Sequence, residues 1–355
     1  MDIIIAGSGL AGCYTGQLLK KKGFTPMLLE EHPEIGKPVQ CAGLIGRETV
    51  ETSLIPFPQG VIKRQIDGAR FFLKNEWFEI ERTRAAHVID RAGLDKHFSQ
   101  GLDIHRKEKV LDVNANTVIE VTTTKGKYTC DVLLGCDGPF STVRKANSFP
   151  LEAAFYPGAQ YVMSHEPEDD FVELHVSPPF FFWLIPVTEE TTRIGYIGPD
   201  PIHELTRFIE RKEIKGEIIE KQAGAISLGN GKIATKNVAL LGDAACQVKP
   251  LTGGGIFYSM KAAEIAVEHL DNLLQYEKEW KENYGREIST GLKLRKIYEN
   301  LSDKNLGRVF RIFKENTDVI ENIADFERHT SLIREFAKYP LLLKLAGSAM
   351  KEFFT

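Results

Sequence analysis

Glycines that follow an apolar run near residue 1 suggest the first chemistry in this sequence. Gly7, Gly9 and Gly12 come directly after Ile3-Ile4-Ile5-Ala6, have the spacing Gly-x-Gly-x-x-Gly, and precede a helical apolar pattern. In this setting backbone N–H groups can approach a pyrophosphate closely, and the positive end of the following helix stabilises its charge. The pattern predicts a dinucleotide site, and the alternative is a tight structural turn before an ordinary helix.

A carboxylate at the end of the second predicted strand supports the same site. Residues 26–29 have the pattern of a strand, and Glu30 follows them 18 residues after Gly12. At that distance a carboxylate can accept hydrogen bonds from both hydroxyls of an adenosine ribose. Glu30 therefore argues against a ribose that carries a 2′-phosphate.

The elements that position these residues belong to a chain of 355 residues with a net charge of -4. This length suggests about two domains, and the charge predicts no nucleic acid partner. The five cysteines are odd in number and lack C-x-x-C spacing, so we expect neither a disulfide framework nor a metal site. Without a leader or an apolar run of about 18 residues, we expect a cytoplasmic protein that meets a membrane, if at all, from its surface.

Two kinds of sequence pattern alternate along the chain. Short apolar strands followed by helical patterns are typical of a nucleotide-binding domain, whereas alternating runs rich in aromatic residues are typical of antiparallel strands. The two domains would therefore be interleaved. We predict a discontinuous cofactor domain at 1–60, 84–150 and 226–285, a β-sheet substrate domain at 61–83 and 151–225, and a helical C-terminal region at 286–355.

Polar residues and glycines also stand at the ends of later predicted strands. In open α/β sheets, ligands bind at the carboxyl ends of the strands, so these residues are candidates for the same site. The set comprises Arg91, Asp137, Gly242, Asp243 and a second glycine-rich turn before a helix, Gly253, Gly254, Gly255 and Ile256.

This ordered set of motifs resembles the FAD-dependent p-hydroxybenzoate hydroxylase fold superfamily over residues 1–290. The resemblance implies an α/β chain in which a Rossmann-like FAD-binding domain is interleaved with an antiparallel β-sheet substrate domain, followed by a helical C-terminus. It implies FAD phosphates near the first glycine turn and Arg91, the adenosine ribose at Glu30, and ribityl hydroxyls or the pyrophosphate at Asp243. The implied cofactor-binding residues are Gly7, Gly9, Ala11, Gly12, Glu30, Cys41, Ala42, Gly43, Arg91, Val110, Asp137, Gly242, Asp243, Gly253, Gly254, Gly255 and Ile256.

Two stretches are similar to the geranylgeranyl reductase family within that superfamily. Gln40-Cys41-Ala42-Gly43-Leu44 has a cysteine where aromatic hydroxylases tend to have Arg-Ala-Gly. Pro178-x-x-Phe181-x-Trp183-x-Ile185-Pro186 is similar to the family's Pro-x-x-Tyr-x-Trp-x-Phe-Pro, with Phe and Ile in place of Tyr and Phe. The resemblance implies that Phe181, Trp183 and Pro186 bind substrate. Cys41 would lie beside the flavin as the candidate catalytic residue, where it positions the flavin, contacts substrate or supplies a proton, unless it is an inert small apolar residue.

The implied activity is FAD-dependent saturation of carbon–carbon double bonds in polyprenyl (geranylgeranyl) groups, on isoprenoid glycerolipids or prenyl diphosphates. Because an isoprenoid offers almost nothing to hydrogen-bond, we expect a long apolar channel, which the aromatic residues 180–183 can build unless they form the sheet core or the domain interface. The alternatives are an FAD-dependent monooxygenase or halogenase on the same fold, and a non-enzymatic flavoprotein or lipid-binding module. The electron donor stays open between NAD(P)H, ferredoxin and another electron-donor protein. The apolar tail 341–354 would cap a lipid tunnel, touch a membrane or pack as an ordinary helix.

Overall fold

The computed structural model describes residues 1–115, 118–330 and 332, and its backbone is built around two large β-sheets. The strands, in chain order, are β1 Ile3–Ala6, β2 Met27–Glu30, β3 Leu44–Gly46, β4 Ile62–Leu73, β5 Glu76–Ile89, β6 Asp103–Arg106, β7 Val110–Ala115, β8 Ile119–Thr123, β9 Lys127–Cys130, β10 Val132–Gly135, β11 Leu151–Met163, β12 Phe171–Ser177, β13 Phe180–Pro186, β14 Thr192–Ile197, β15 Ile218–Gly231 and β16 Val238–Leu240. The helices are α1 Leu10–Lys21, α2 Arg47–Glu51, α3 Arg91–Phe98, α4 Thr142–Ala146, α5 Pro201–Arg211, α6 Ile256–Glu268, α7 Leu273–Trp280, α8 Arg286–Glu299, α9 Asp303–Lys314 and α10 Thr317–Ile323.

The first sheet is parallel, with strand order β16-β10-β1-β2-β6. Strands β1 and β10 are buried along their whole length, which is why both are continuous apolar runs in the sequence. Because β1, β2, β10 and β16 are neighbours and run in the same direction, the segments that follow them meet at one edge. That edge brings together residues that lie far apart in the chain.

The second sheet has the order β15-β11-β14-β13-β12-β4-β5-β3 and is antiparallel apart from one parallel pair, β12 with β4. The predicted boundaries at 83/84 and 225/226 fall inside β5 and β15, which continue without a break to Ile89 and Gly231. Near residue 84 strand β5 bulges, with Arg84 at φ +55° and a register shift in its pairing with β4, and it then enters the core: residues 81–84 are exposed and 86–89 are buried. β3 also joins this sheet, through its pairing with β5.

Helices of the C-terminal region cover one face of the second sheet. The Phe310 ring of α9 lies 5.0 Å from the Phe78 ring of β5, and the Glu81 backbone N–H donates to Glu321 of α10 at 3.0 Å. The Arg82 guanidinium also donates to the carbonyl of Ala324. The predicted helical C-terminus is present as far as the structure describes it, and the tail 341–354 lies outside the described residues. No helix within the described ranges has both the length and the apolar character needed to cross a bilayer.

Candidate functional site

A cavity of about 1400 Å³ lies where the carboxyl ends of the parallel strands meet one face of the second sheet. Pockets for single small ligands usually measure roughly 300–1,000 Å³. A cavity of this size can therefore hold an extended ligand together with a second molecule. The residues that line it come from both sheets and from the C-terminal helices.

The first glycine turn is closed towards the protein and open towards the cavity. Gly7 has φ +94°, and a Cβ there would lie 2.4 Å from the carbonyl oxygen of Cys136. A Cβ at Gly12 would lie 2.0 Å from the carbonyl oxygen of Gly7, whereas one at Gly9 would meet nothing within 4 Å. Helix α1 begins at Leu10 with no side-chain cap, so its first N–H groups remain available to a ligand.

Glu30 lies at the cavity wall and is held by three hydrogen bonds. Its Oε2 accepts from the Ser8 backbone N–H at 2.8 Å, and its Oε1 accepts from the His32 backbone N–H at 2.9 Å. The His32 ring Nδ1 lies 2.7 Å from the same Oε1. The carboxylate is therefore fixed at the end of β2, and Val110 of β7 lines the same cavity.

A buried group of charges lies beside the first turn. Arg91 opens α3 and pairs with Asp95 one helical turn later. Among the described residues, Arg91 Nε and Asp95 Oδ1 have no hydrogen-bond partner. Burial lowers the pKa of Arg91, but the charge and hydrogen bond of Asp95, together with Cys41 and Asp243, outweigh that effect and raise it, so the guanidinium stays charged. Burial raises the pKa of Asp243 to about 6, although the charge of Arg91 opposes the rise.

The second glycine turn borders the same cavity. Gly253 has φ +80°, and a Cβ there would lie 2.5 Å from Cδ1 of Ile226. Helix α6 begins at Ile256, and Gly255 before it provides no side-chain cap. Two uncapped helix N-termini, those of α1 and α6, therefore border one cavity, which favours a ligand with negative charge.

The loop that contains Cys41 is held from behind by a buried arginine. The Arg193 guanidinium donates to the carbonyl of Ala42 at 2.6 Å and to that of Ile89 at 3.3 Å. Gly43 has φ +68°, and a Cβ there would lie 2.2 Å from Arg193 Nη1. The Cys41 thiol accepts the Gly43 backbone N–H at 3.3 Å and lies at the cavity wall. Arg193 therefore determines the shape of the loop that presents the thiol.

Strand β13 points alternate aromatic side chains into the cavity. Phe181 and Trp183 line it, while Phe182 lies on the opposite face and stacks on Phe208 of α5 with ring centroids 4.3 Å apart. Phe180 is buried beneath the Arg295 guanidinium, whose central carbon lies 3.4 Å from the ring centroid. Phe182 therefore belongs to the core on the other face of the sheet, because successive side chains of a strand point to opposite faces, whereas Phe180 is covered by α8 and does not line the cavity.

The apolar side of the cavity, here called the apolar compartment, lies between the second sheet and helices α8–α10. Tyr298 of α8 closes against β13 by donating its hydroxyl to the Phe180 carbonyl at 2.5 Å. The compartment is lined by Ile66, Phe71, Val172, Leu174, Phe181, Trp183, Ile185, Leu294, Ile297, Leu301, Val309, Phe313 and Ile320.

Three predicted site residues do not line the cavity. Gly12 lies behind the first turn. Gly242 donates its N–H to Gln247 at 2.7 Å, and a Cβ there would lie 3.0 Å from Ala11 Cβ, so close packing on α1 requires glycine. Pro186 ends β13, is paired with Thr192 and does not line the cavity.

Asp137 lines the cavity, but its carboxylate serves the fold. It accepts hydrogen bonds from the Ser141 hydroxyl at 2.6 Å and from the backbone N–H groups of Thr142 and Val143 at 2.7 and 3.1 Å. These bonds satisfy the start of α4. The remaining predicted residues are brought together at the cavity wall: Gly7, Gly9, Ala11, Glu30, Cys41, Ala42, Gly43, Arg91, Val110, Asp243, Gly253, Gly254, Gly255, Ile256, Phe181 and Trp183.

Sequence reasoning missed a buried amide pair that links the aromatic wall to the cysteine loop. Gln160 donates to Gln222 at 2.5 Å and to the Cys41 carbonyl at 3.3 Å, and it accepts the Trp183 indole N–H at 3.2 Å. Gln160 and Gln222 face each other across β11 and β15, and no local sequence signal pairs them. Lys249 also lines the cavity, and its place just before the second turn was a signal that could have been used.

Comparisons with known proteins show which family the chain is similar to. Residues 5–44 match the model of an NAD(P)-binding Rossmann-like domain. The chain is 32% identical to an uncharacterized protein of Methanocaldococcus jannaschii, with 93% of each chain covered. It is 26% identical to a digeranylgeranylglycerophospholipid reductase of Methanothrix thermoacetophila, over 87% of this chain and 90% of that one. The chain belongs to the geranylgeranyl reductase family.

The fold agrees with that membership. A solved geranylgeranyl bacteriochlorophyll reductase-like protein from Thermoplasma acidophilum superposes with a TM-score of 0.85 at 21% identity, over 97% of this chain and 98% of that one. The predicted fold class, a Rossmann-like domain with a second sheet and a helical C-terminal region, is thereby confirmed. Like its family, the chain is an oxidoreductase built on the fold of FAD-dependent enzymes.

Proposed function

We propose that the cofactor of this oxidoreductase is FAD. Three observations support this choice: the open face of Gly9, the buried Arg91 Nε, which has no partner in the described part of the chain, and the fixed carboxylate of Glu30. Gly9 and the N-terminus of α1 would receive the pyrophosphate, and Arg91 would face the phosphates or the ribityl chain. Glu30 would bind the adenosine ribose, and Asp243 would bind the ribityl hydroxyls or the pyrophosphate.

We further propose that the enzyme saturates carbon–carbon double bonds of polyprenyl groups. The observation that carries this proposal is the apolar compartment, which opens into the same cavity as both glycine turns. When bound, FAD in its reduced form supplies a hydride equivalent to one alkene carbon, and the other carbon takes up a proton. The name of the Methanothrix relative supports isoprenoid glycerolipids as the first substrates to test, with prenyl diphosphates as the second.

The chain's own residues orient the alkene and exclude water. Phe181 and Trp183 offer apolar surface to a prenyl chain, and the Gln160 hydrogen bond fixes the indole of Trp183. Cys41, next to this wall, carries a thiol that can hold the proton required by the second alkene carbon. Arg193 keeps the Cys41 loop in place by its bonds to two backbone carbonyls.

Anaerobic single-turnover reduction tests the proposal. The purified protein is loaded with FAD, reduced without oxygen and mixed with a geranylgeranyl glycerolipid or geranylgeranyl diphosphate. We expect the flavin absorbance to return and mass spectrometry to detect a product heavier by two hydrogens per reduced bond. Reoxidation that requires oxygen, with a hydroxylated or halogenated product, would instead assign the chain to monooxygenase or halogenase chemistry.

The electron donor and contact with a membrane surface are tested separately. NAD(P)H, ferredoxin and other donor proteins are distinguished by measuring which of them bleaches the flavin. Binding to vesicles of isoprenoid glycerolipid, measured by sedimentation, tests for contact with a membrane surface. A protein that remains in the supernatant while it reduces dispersed lipid would show that such contact is unnecessary.

A further inference from the structure

A buried ion pair joins the end of the described C-terminal region to the second glycine turn. Lys249 Nζ donates to Glu327 Oε2 at 3.0 Å and to the Phe326 carbonyl at 2.9 Å. The two charged side chains are only 7% and 3% exposed. Residues 324–330, here called the strap, thus reach Lys249, which precedes Phe326 and Glu327 by 77 and 78 positions.

Lys249 is the residue against which the turn closes. Its backbone N–H donates to the carbonyl of Gly254 at 2.9 Å, and its own carbonyl accepts the N–H of Gly253 at 2.8 Å. A Cβ at Gly254 would lie 2.6 Å from Cε of Lys249, so the lysine side chain packs directly on the turn. Lys249 also lines the cavity. A shift of this side chain would therefore remove its packing on Gly254.

Glu327 is anchored independently of the lysine. Its Oε1 accepts the Gly46 backbone N–H at 2.9 Å and the Thr49 hydroxyl at 2.7 Å. Its backbone carbonyl accepts the Tyr258 hydroxyl of α6 at 2.9 Å. Contacts with β3, α2 and α6 therefore fix the position of Glu327. The carboxylate in turn positions the Lys249 side chain.

Stability gives little reason to bury such a pair. Desolvation of two charges often cancels their attraction, and apolar replacements of buried pairs are commonly neutral or stabilising. The position of Lys249 at the cavity wall gives a more specific reason for burying the pair. We propose that Lys249 is a positioning residue, held by Glu327 against the Gly253–Gly255 turn, and that the strap thereby completes the cofactor site. This inference rests on the proposed FAD site.

The test compares Lys249→Met, Glu327→Gln and the double variant K249M/E327Q. Thermal unfolding of each apoprotein is measured by circular dichroism, and the Kd for FAD by fluorescence titration. Each single change leaves one buried charge unpaired, so we expect both stability and FAD affinity to fall. The double variant leaves no unpaired charge; we expect it to unfold within a few degrees of the wild type yet bind FAD about tenfold more weakly.

A double variant that binds FAD with the wild-type Kd overturns the inference. One that does not fold overturns it as well, because the pair would then serve folding. The matched control is Lys74→Met/Asp303→Asn, which removes an ion pair of the same kind with side chains 70% and 85% exposed. It should change neither readout. Wild-type protein that binds no FAD would refute the proposed function instead, before the variants are compared.

Discussion

Gly9 and Gly12 belong to one motif but have different surroundings. Substitutions at the two positions should therefore distinguish an effect on FAD binding from an effect on stability. Gly9 has φ -73°, which any residue adopts, and its missing side chain faces open space. We expect Gly9→Val to fold normally and to weaken FAD binding by about two orders of magnitude, because the side chain occupies the pyrophosphate position. We expect Gly12→Ala to lower stability by about 1–3 kcal/mol, since its Cβ meets the Gly7 carbonyl. Calorimetry and FAD titration of both variants check the contrast, which equal loss of stability would contradict.

Asp243 makes stability depend on pH in the sense opposite to that of a salt-bridged aspartate. Burial raises its pKa to about 6 in the folded state, above the ordinary 3.8 expected after unfolding. Between these pH values the folded state binds more protons than the unfolded state, so stability falls as pH rises through this window. The loss is on the order of 3 kcal/mol and is complete above pH 6.

Asp243→Asn should remove this loss. We expect the variant apoprotein to gain stability over the wild type as pH rises from about 4 to 6, and to keep a constant advantage above that. Urea unfolding at several pH values measures the difference, with Asp103→Asn as the exposed control. Parallel stability curves for wild type and Asp243→Asn would show that Asp243 titrates normally.

The possible roles of Cys41 can be distinguished by which property changes when the thiol is removed. If its thiol supplies the proton, Cys41→Ala should slow reoxidation of the reduced enzyme by a prenyl substrate roughly a hundredfold. FAD affinity should remain unchanged, because Arg193 still holds the loop. Stopped-flow absorbance measures both. A loss confined to FAD affinity would assign Cys41 to flavin positioning, and no change would make it an inert apolar residue.

At the scale of elements, the two faces of β13 have separate tasks. Phe181 faces the apolar compartment, whereas Phe182 is packed between Tyr196 and Phe208 with ring centroids 4.3 Å from each. We expect Phe181→Ala to raise KM for a prenyl substrate roughly tenfold with little loss of stability. Phe182→Ala should cost about 3–5 kcal/mol of stability with KM unchanged. Unfolding curves and steady-state kinetics of this matched pair decide; a KM effect shared by both would contradict separate faces.

Strand β13 shows why the sequence predicts a strand more readily than it predicts what packs against each of its faces. The aromatic run and its bounding prolines indicate a strand, and alternation implies two different faces. Which face meets substrate depends on α5 and α8, which pack against β13 from distant parts of the chain. The predicted boundaries at 83/84 and 225/226 fall inside strands for a related reason: β5 and β15 are long enough to run from exposed to buried surroundings.

At the scale of the molecule, both sheets and the C-terminal helices line the cavity. A ligand bound there should therefore stabilise the entire folded chain against unfolding. FAD at about 100 times its Kd should add roughly 2.7 kcal/mol to the free energy of unfolding. The melting temperature should therefore rise in wild-type protein and rise much less in Gly9→Val, because the same FAD concentration would only equal the Kd of the variant and add about 0.4 kcal/mol. Differential scanning fluorimetry with FAD, and with NAD+ at the same concentration, tests this expectation. An equal shift with NAD+ would contradict the choice of cofactor.

The sequence by itself determined the features that depend on neighbouring residues. A glycine turn after a buried strand, with a carboxylate after the next strand, specifies a dinucleotide site because steric freedom at glycine and strand periodicity are local properties. Only the tertiary structure decided that the strap reaches Lys249, that Gln160 meets Gln222, and that α8–α10 enclose the apolar compartment. Such contacts join residues that are far apart in the chain, and they form because buried polar groups require partners and apolar faces require cover.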